Sequence, residues 1–190
     1  MIECVNLNLP GALDAAVLRT AVSDGGRALD TGEPMRAAET FRAALELWRG
    51  PPLADVAFAD FAQAEIRSLE ELRLIALEGR IDADLQIGRD EALVAELEAL
   101  VVEQPTRERA AGQLMLALYR CGRQAEALGV YQRIRSSLSQ DLGLEPGPAL
   151  RTLQTEILEQ AASLERPTPA CQIPPADPFG DTLNARVCLE

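Results

Sequence analysis

A Gly-Arg turn recurs in this chain at a set distance, and that spacing narrows the possible folds sharply. Gly88-Arg89-Asp90-Glu91-Ala92-Leu93 matches Gly122-Arg123-Gln124-Ala125-Glu126-Ala127-Leu128, and the two glycines lie 34 residues apart. This is the tetratricopeptide period, one helix, a tight turn and a second helix per unit. Gly32-Glu33-Pro34-Met35-Arg36-Ala37-Ala38 is a third copy, 56 residues before Gly88, so an irregular segment and a longer helix are expected between them. The small residues Ala37, Ala92 and Ala127 are expected to let paired helices approach closely, with Phe41 and Tyr131 four residues beyond Ala37 and Ala127. Stacked units of this kind bury a continuous core and leave a concave groove. An irregular helical bundle is the other arrangement open to such helices.

Periodicity supports the reading. From Ala110 to Pro148 two amphipathic helices are expected, striped by Ala110, Leu114, Ala117, Leu118 and Cys121 and then by Leu128, Tyr131, Leu138 and Leu142. Gly143 is suited to the left-handed conformation past the last turn, with Leu144 folding back onto it, and Pro146 cannot continue a helix. Pro148 then starts another helix. Within the repeat, Ala92, Leu118, Tyr119, Gly122, Ala127, Leu128 and Tyr131 are the expected packing set, and Cys121 reads as a small buried residue.

The rest of the chain follows the same rules. Asp14 suits the N-cap of a helix running to about Leu29. A second helix carries Ala37, Ala38, Phe41, Leu45 and Leu47 and closes at Trp48-Arg49-Gly50-Pro51-Pro52, with Trp48 packing under the diproline turn. After an irregular stretch from Leu53 to Asp60, a long helix spans Phe61 to about Ile87 with Leu69, Leu72, Ala76, Ile81 and Leu85 among its apolar positions. Leu93, Val94, Leu97, Leu100 and Val101 mark a further helix, Pro105 is placed in the first turn of the next, and Leu150, Leu153, Ile157 and Leu158 stripe the last. Aromatic residues make up only 4% of the chain, which favours helix over sheet. The expected class is all-α, a tetratricopeptide-like superhelix of helical hairpins over residues 14–162. Residues 1–13 form a stub with the alternating segment Cys4 to Leu9, and residues 163–190 form a proline-rich linker or disordered tail.

Charge and composition restrict the chemistry. Thirty acidic residues against eighteen basic ones give a net charge of -12, which repels phosphate backbones. All eighteen basic residues are arginine, and the chain has no lysine and no histidine. A P-loop ammonium, a Schiff base, a histidine general base and an imidazole metal ligand are therefore excluded. Cys4, Cys121, Cys171 and Cys188 form no C-x-x-C pair, so no zinc site or redox motif is indicated. With no basic n-region after Met1 and no apolar run of membrane-spanning length, a reducing bacterial cytoplasm is the expected location. Carboxylate pairs such as Glu70-Glu71 and Glu96 with Glu98 fall on helix faces where solvation is the default, so no catalytic role and no cofactor are expected.

Four ordered blocks carry a family likeness. Leu47-Trp48-Arg49-Gly50-Pro51-Pro52-Leu53, Glu70-Glu71-Leu72-Arg73, the run from Leu114 to Leu128, and Asp141-Leu142-Gly143-Leu144-Glu145-Pro146-Gly147-Pro148 together resemble the bacterial transcriptional activator domain of SARP-type regulators. The resemblance implies a non-catalytic helical module of activators that switch on secondary-metabolite gene clusters. It also implies a winged-helix DNA-binding domain ahead of this region, of which only the stub before Asp14 is expected to be a remnant, so DNA would be reached through another domain or partner. The implied partners are RNA polymerase, another regulator domain or a second copy. An adaptor binding a peptide outside transcription is the alternative. Arg107, Arg109, Arg120 and Arg123 are the candidate partner-binding residues, since guanidinium forks pair with carboxylates or phosphates. Intramolecular pairing with Glu103, Glu108 and Glu126 is the competing use of the same arginines.

Overall fold

A computed structural model describes residues 15–48 and 60–165, with side chains of the second segment described from residue 63. Among the described residues there are seven α-helices and no strand. They are α1 (Ala15–Asp30), α2 (Pro34–Glu46), α3 (Asp60–Ile87), α4 (Asp90–Glu103), α5 (Glu108–Arg120), α6 (Gln124–Ser137) and α7 (Pro148–Glu159). The expected stub, the Asp14 cap, the diproline turn and the proline-rich tail lie outside the described residues.

Three turns share one construction. Gly32, Gly88 and Gly122 have φ of +73°, +86° and +77°. The N–H of each glycine donates to the carbonyl three residues back, and the next N–H donates to the carbonyl five back. The acceptors are Leu29 and Ala28, Leu85 and Asp84, and Tyr119 and Leu118, all at 2.8–3.1 Å. This closure satisfies carbonyls that a helix end leaves free, and a residue with a Cβ would be strained at the glycine. Each turn runs directly into the next helix, so the hairpins α1–α2, α3–α4 and α5–α6 follow from local sequence.

The register of these turns corrects one expectation. Counting from the glycine, the residue equivalent to Ala37 and Ala127 is Leu93, not Ala92. Ala37 and Ala127 are fully buried and Leu93 is buried, whereas Ala92 is exposed. The sequence match had slipped by one residue, and on a helix one residue is 100° of rotation. The three hairpins also close differently: α1 packs closely on α2 and α5 on α6, whereas α3 and α4 touch along little of their length. Helix α4 instead packs on α5.

Other departures are local. The second helix of the last hairpin leaves α geometry at Ser137 and finishes in a π-helical turn, Leu138–Leu142. Gly143 takes the left-handed conformation as expected, with φ of +67°, but its closure is wider than in the other turns, Gly143 N–H to Ser139 C=O and Leu144 N–H to Leu138 C=O. The widened turn swings Leu142 and Leu144 outward, and both are exposed. Pro105 sits in the turn before α5, whose N-cap is Arg107. Leu47 and Leu158 are exposed, while Trp48 is half-buried and stacks under the Arg73 guanidinium, 5.6 Å from the ring centroid. A 3-10 turn, Ala162–Leu164, buries Leu164 in the core, so the packed structure runs past the boundary expected at residue 162.

The core falls into two parts. Around α4 to α7 and the end of α3 it is built from aliphatic side chains, including Leu97, Leu114, Met115, Leu118, Ile134 and Ile157. Tyr131 is buried in this part, and Tyr119, Leu128 and Cys121 pack against it half-buried. Around α1, α2 and the face of α3 that meets them it consists of two smaller clusters, one centred on Phe41 with Ala28, Ala37, Ala38, Ala76 and Ala83, the other on Leu18, Ala44 and Leu69.

Candidate functional site

The four candidate arginines lie at the two ends of α5, separated by about 18 Å at 1.5 Å per residue. They do not form one patch. Each end is built differently, and the difference decides which guanidinium groups hold the fold.

At the N-terminal end Arg107 bridges two carboxylates that lie two turns apart on α3. Its Nε and Nη2 donate to the Glu78 carboxylate at 2.6 and 3.2 Å, and Nη1 and Nη2 donate to Glu71 at 2.9 Å each. Glu78 is almost fully buried, and a buried carboxylate is tolerated only when paired. These bonds raise the Arg107 pKa, with Glu78 the larger cause, and the hydrogen bond from Arg107 holds the Glu71 carboxyl below the usual range. Arg109 donates to Asp82 at 2.6 Å and lies 3.8 Å from Glu78. Gln113, buried one turn further along α5, donates to the Glu78 carbonyl at 2.8 Å and to Asp82 at 2.6 Å. Arg107 and Gln113 thus lock α5 onto one strip of α3, with Arg109 at its exposed edge.

At the C-terminal end Arg120 is nearly buried. It donates to the carbonyls of Leu85 and Leu164 at 3.0 and 2.9 Å and to Asp90 at 3.3 Å, tying α3, the start of α4 and the 3-10 turn to α5. Arg123 forms a fork with Glu126, 2.7 Å for each bond, and lies 3.8 Å from Glu98. Its side chain is 41% exposed and that of Arg109 49%, against 10% for Arg120 and 21% for Arg107. Of the three carboxylates weighed as intramolecular partners, Glu126 meets Arg123. Glu108 instead accepts the Gly147 N–H at 2.7 Å ahead of α7, and Glu103 is exposed with no ion pair among the described residues.

A third polar node was missed by sequence reasoning. Asp84, nearly fully buried on α3, accepts hydrogen bonds from Arg42 of α2, Arg80 one turn before it (3.0 Å) and Arg89 of the following turn (3.0 Å). Arg80 also lies 2.6 Å from Glu96 of α4, a charge contact without an aligned hydrogen bond. The i,i+4 spacing of Arg80 and Asp84 was the one signal available. Arg42 is 42 residues from Asp84, a distance no local pattern reports.

The chemistry available to this arrangement is binding and scaffolding. The buried carboxylates Glu78, Asp84 and Asp90 are each held by arginine guanidinium groups. Among the described residues no group of three or more Cys, Asp or Glu is placed to hold a metal ion. No described helix is long and apolar enough to cross a membrane.

Helical hairpins with left-handed glycine turns, stacked through aliphatic cores and fastened by arginine–carboxylate locks, define a tetratricopeptide-like scaffold. The chain belongs to the bacterial transcriptional activator domain family, whose profile matches residues 13–158. It is 38% identical over 160 residues to the regulatory protein DnrI of Streptomyces peucetius, covering 84% of this chain and 59% of DnrI. It is 44% identical over 154 residues to the regulatory protein AfsR of Streptomyces coelicolor, covering 81% of this chain and 15% of AfsR. Among solved structures, Mycobacterium tuberculosis EmbR in complex with a low-affinity phosphopeptide superposes with a TM-score of 0.73 at 38% identity, over 76% of this chain and 38% of EmbR. The chain thus matches a bacterial transcriptional activator domain of SARP-type regulators and spans only part of these relatives.

Proposed function

We propose that this chain is the non-catalytic regulatory and protein-interaction module of a SARP-type activator of secondary-metabolite genes, working in the bacterial cytoplasm and contacting RNA polymerase or another regulator domain. The family match across 13–158 carries the reading. The acidic balance of the chain supports a protein partner over direct phosphate contact, with DNA reached through another domain. The phosphopeptide complex of EmbR supports the same class of ligand for a relative.

Of the four candidate arginines, Arg109 and Arg123 are the ones we assign to the partner, because both are about half exposed and their ion pairs are exchangeable at the surface. Arg107 and Arg120 serve the fold. The experiment is a fusion of this chain to a heterologous DNA-binding domain upstream of a reporter promoter, paired with gel filtration against purified RNA polymerase. Reporter activation and co-elution, both weakened by Arg109→Ala with Arg123→Ala, are expected. Absence of activation together with absence of co-elution overturns the proposal, and recovery of peptide ligands unrelated to transcription points to the adaptor reading.

A further inference from the structure

Helix α4 is apolar on two opposite faces. Leu93, Val94, Leu97 and Leu100 are buried against the rest of the fold. The opposite face carries Ala92, Ala95, Ala99 and Val102, all exposed, Val102 to 81%. Their spacing of three, four and three residues is that of the apolar seam with which one helix meets another. At 100° per residue Glu91 and Glu98 fall along one side of this seam and Glu96 and Glu103 along the other, all four exposed. Glu96 contacts Arg80, and Glu98 lies 3.8 Å from Arg123. No ion pair among the described residues engages Glu91 or Glu103.

We propose that the outer face of α4 is the docking surface for a partner helix that carries arginine or lysine on both sides of its own apolar stripe. The charge pattern selects this occupant. In helix pairs the residues flanking the seam choose the partner, and like charges facing each other oppose pairing. A second copy of this chain would set glutamates against glutamates on both sides. A basic helix meets opposite charge on both. The three alanines leave room for close approach, and Val102 supplies the one large side chain to be covered. The proposal rests on the interaction-module reading and names the chemistry of the helix that this one face takes.

The test uses the whole chain and two synthetic helical peptides with the same leucine and alanine stripe, one flanked by arginine and one by glutamate, with binding read by fluorescence anisotropy. The arginine peptide should bind at least about tenfold tighter, with an affinity that falls as salt rises. Val102→Glu should abolish that binding, and Glu91→Arg with Glu103→Arg should reverse the preference. These positions are exposed, so circular dichroism melts should match the parent chain. Equal binding of the two peptides, or binding indifferent to Val102→Glu, overturns the proposal. So does sedimentation showing a dimer that Val102→Glu disperses, since the occupant would then be a second copy. Reporter activation by the Val102→Glu fusion at the parent level would separate this failure from that of the interaction-module reading, which fails only if the parent fusion neither activates nor co-elutes with RNA polymerase.

Discussion

The two ends of the molecule bury helices by different means. Near the N-terminus a single ring fills the centre of one cluster: Phe41 of α2 is 2% exposed, and its ring occupies the space that side chains at Gly25 of α1 and Gly79 of α3 would fill. Beyond α3 the core is a set of interdigitated aliphatics such as Leu97, Leu114, Met115 and Ile134. A core of many flexible side chains redistributes a change in shape, whereas a ring seated in a slot made by two missing side chains does not. The Phe41 cluster is therefore specified chiefly by three positions, and the C-terminal core by many.

The largest expected effect comes from emptying the slot. Phe41→Ala should cost about 3–5 kcal/mol, and hydrogen exchange should show α1 and α2 opening ahead of α5 and α6. Uniform loss of protection across all helices would refute the division into two parts.

Filling the slot sharpens the same contrast. Gly79→Ala gains up to about 1 kcal/mol of helix propensity but collides with the ring, for a net cost of roughly 1–2 kcal/mol in denaturant melts. Met115→Leu, in the aliphatic core, should cost less than about 1.5 kcal/mol. If the glycine change proved neutral or stabilising, the ring would have to move more freely than its burial implies.

The smallest effect lies on the α3–α5 lock. Because Glu71 has a depressed pKa in the folded state, its pairing with Arg107 stabilises the protein above the unfolded glutamate value and is lost as pH falls through the folded one. Glu71 is about half exposed, so Glu71→Gln should lower stability at neutral pH by less than about 1 kcal/mol. The difference between variant and parent should vanish in acid. A difference that persists there, followed by thermal melts across the acid range, would show that packing and not charge is responsible.

The parts of this molecule that were legible before its structure are those set by neighbours in sequence. The helices around Leu69, Leu97, Leu118 and Ile157 announce themselves by their apolar spacing, and Gly32, Gly88, Gly122 and Gly143 mark closures made within six residues. The arginines of α5 were legible as candidates but their partners were not. Arg107 meets Glu71 from 36 residues away and Glu78 from 29, and nothing local distinguishes these carboxylates from Glu103 or Glu108. Likewise Ala92 and Leu93 differ by one step along the chain and by opposite fates, one in solvent and one in the core.

The sequence by itself determined that this chain is a series of helical hairpins with arginine as its sole cation, because helix propensity, apolar period and left-handed glycine act within a few residues. Only the tertiary structure decided which carboxylates the arginines neutralise, which glycines admit Phe41, and that α4 keeps an uncovered apolar face between glutamates. Those outcomes depend on distances between helices, and such distances are fixed by side-chain volumes summed over a whole core, not by any pattern along the chain.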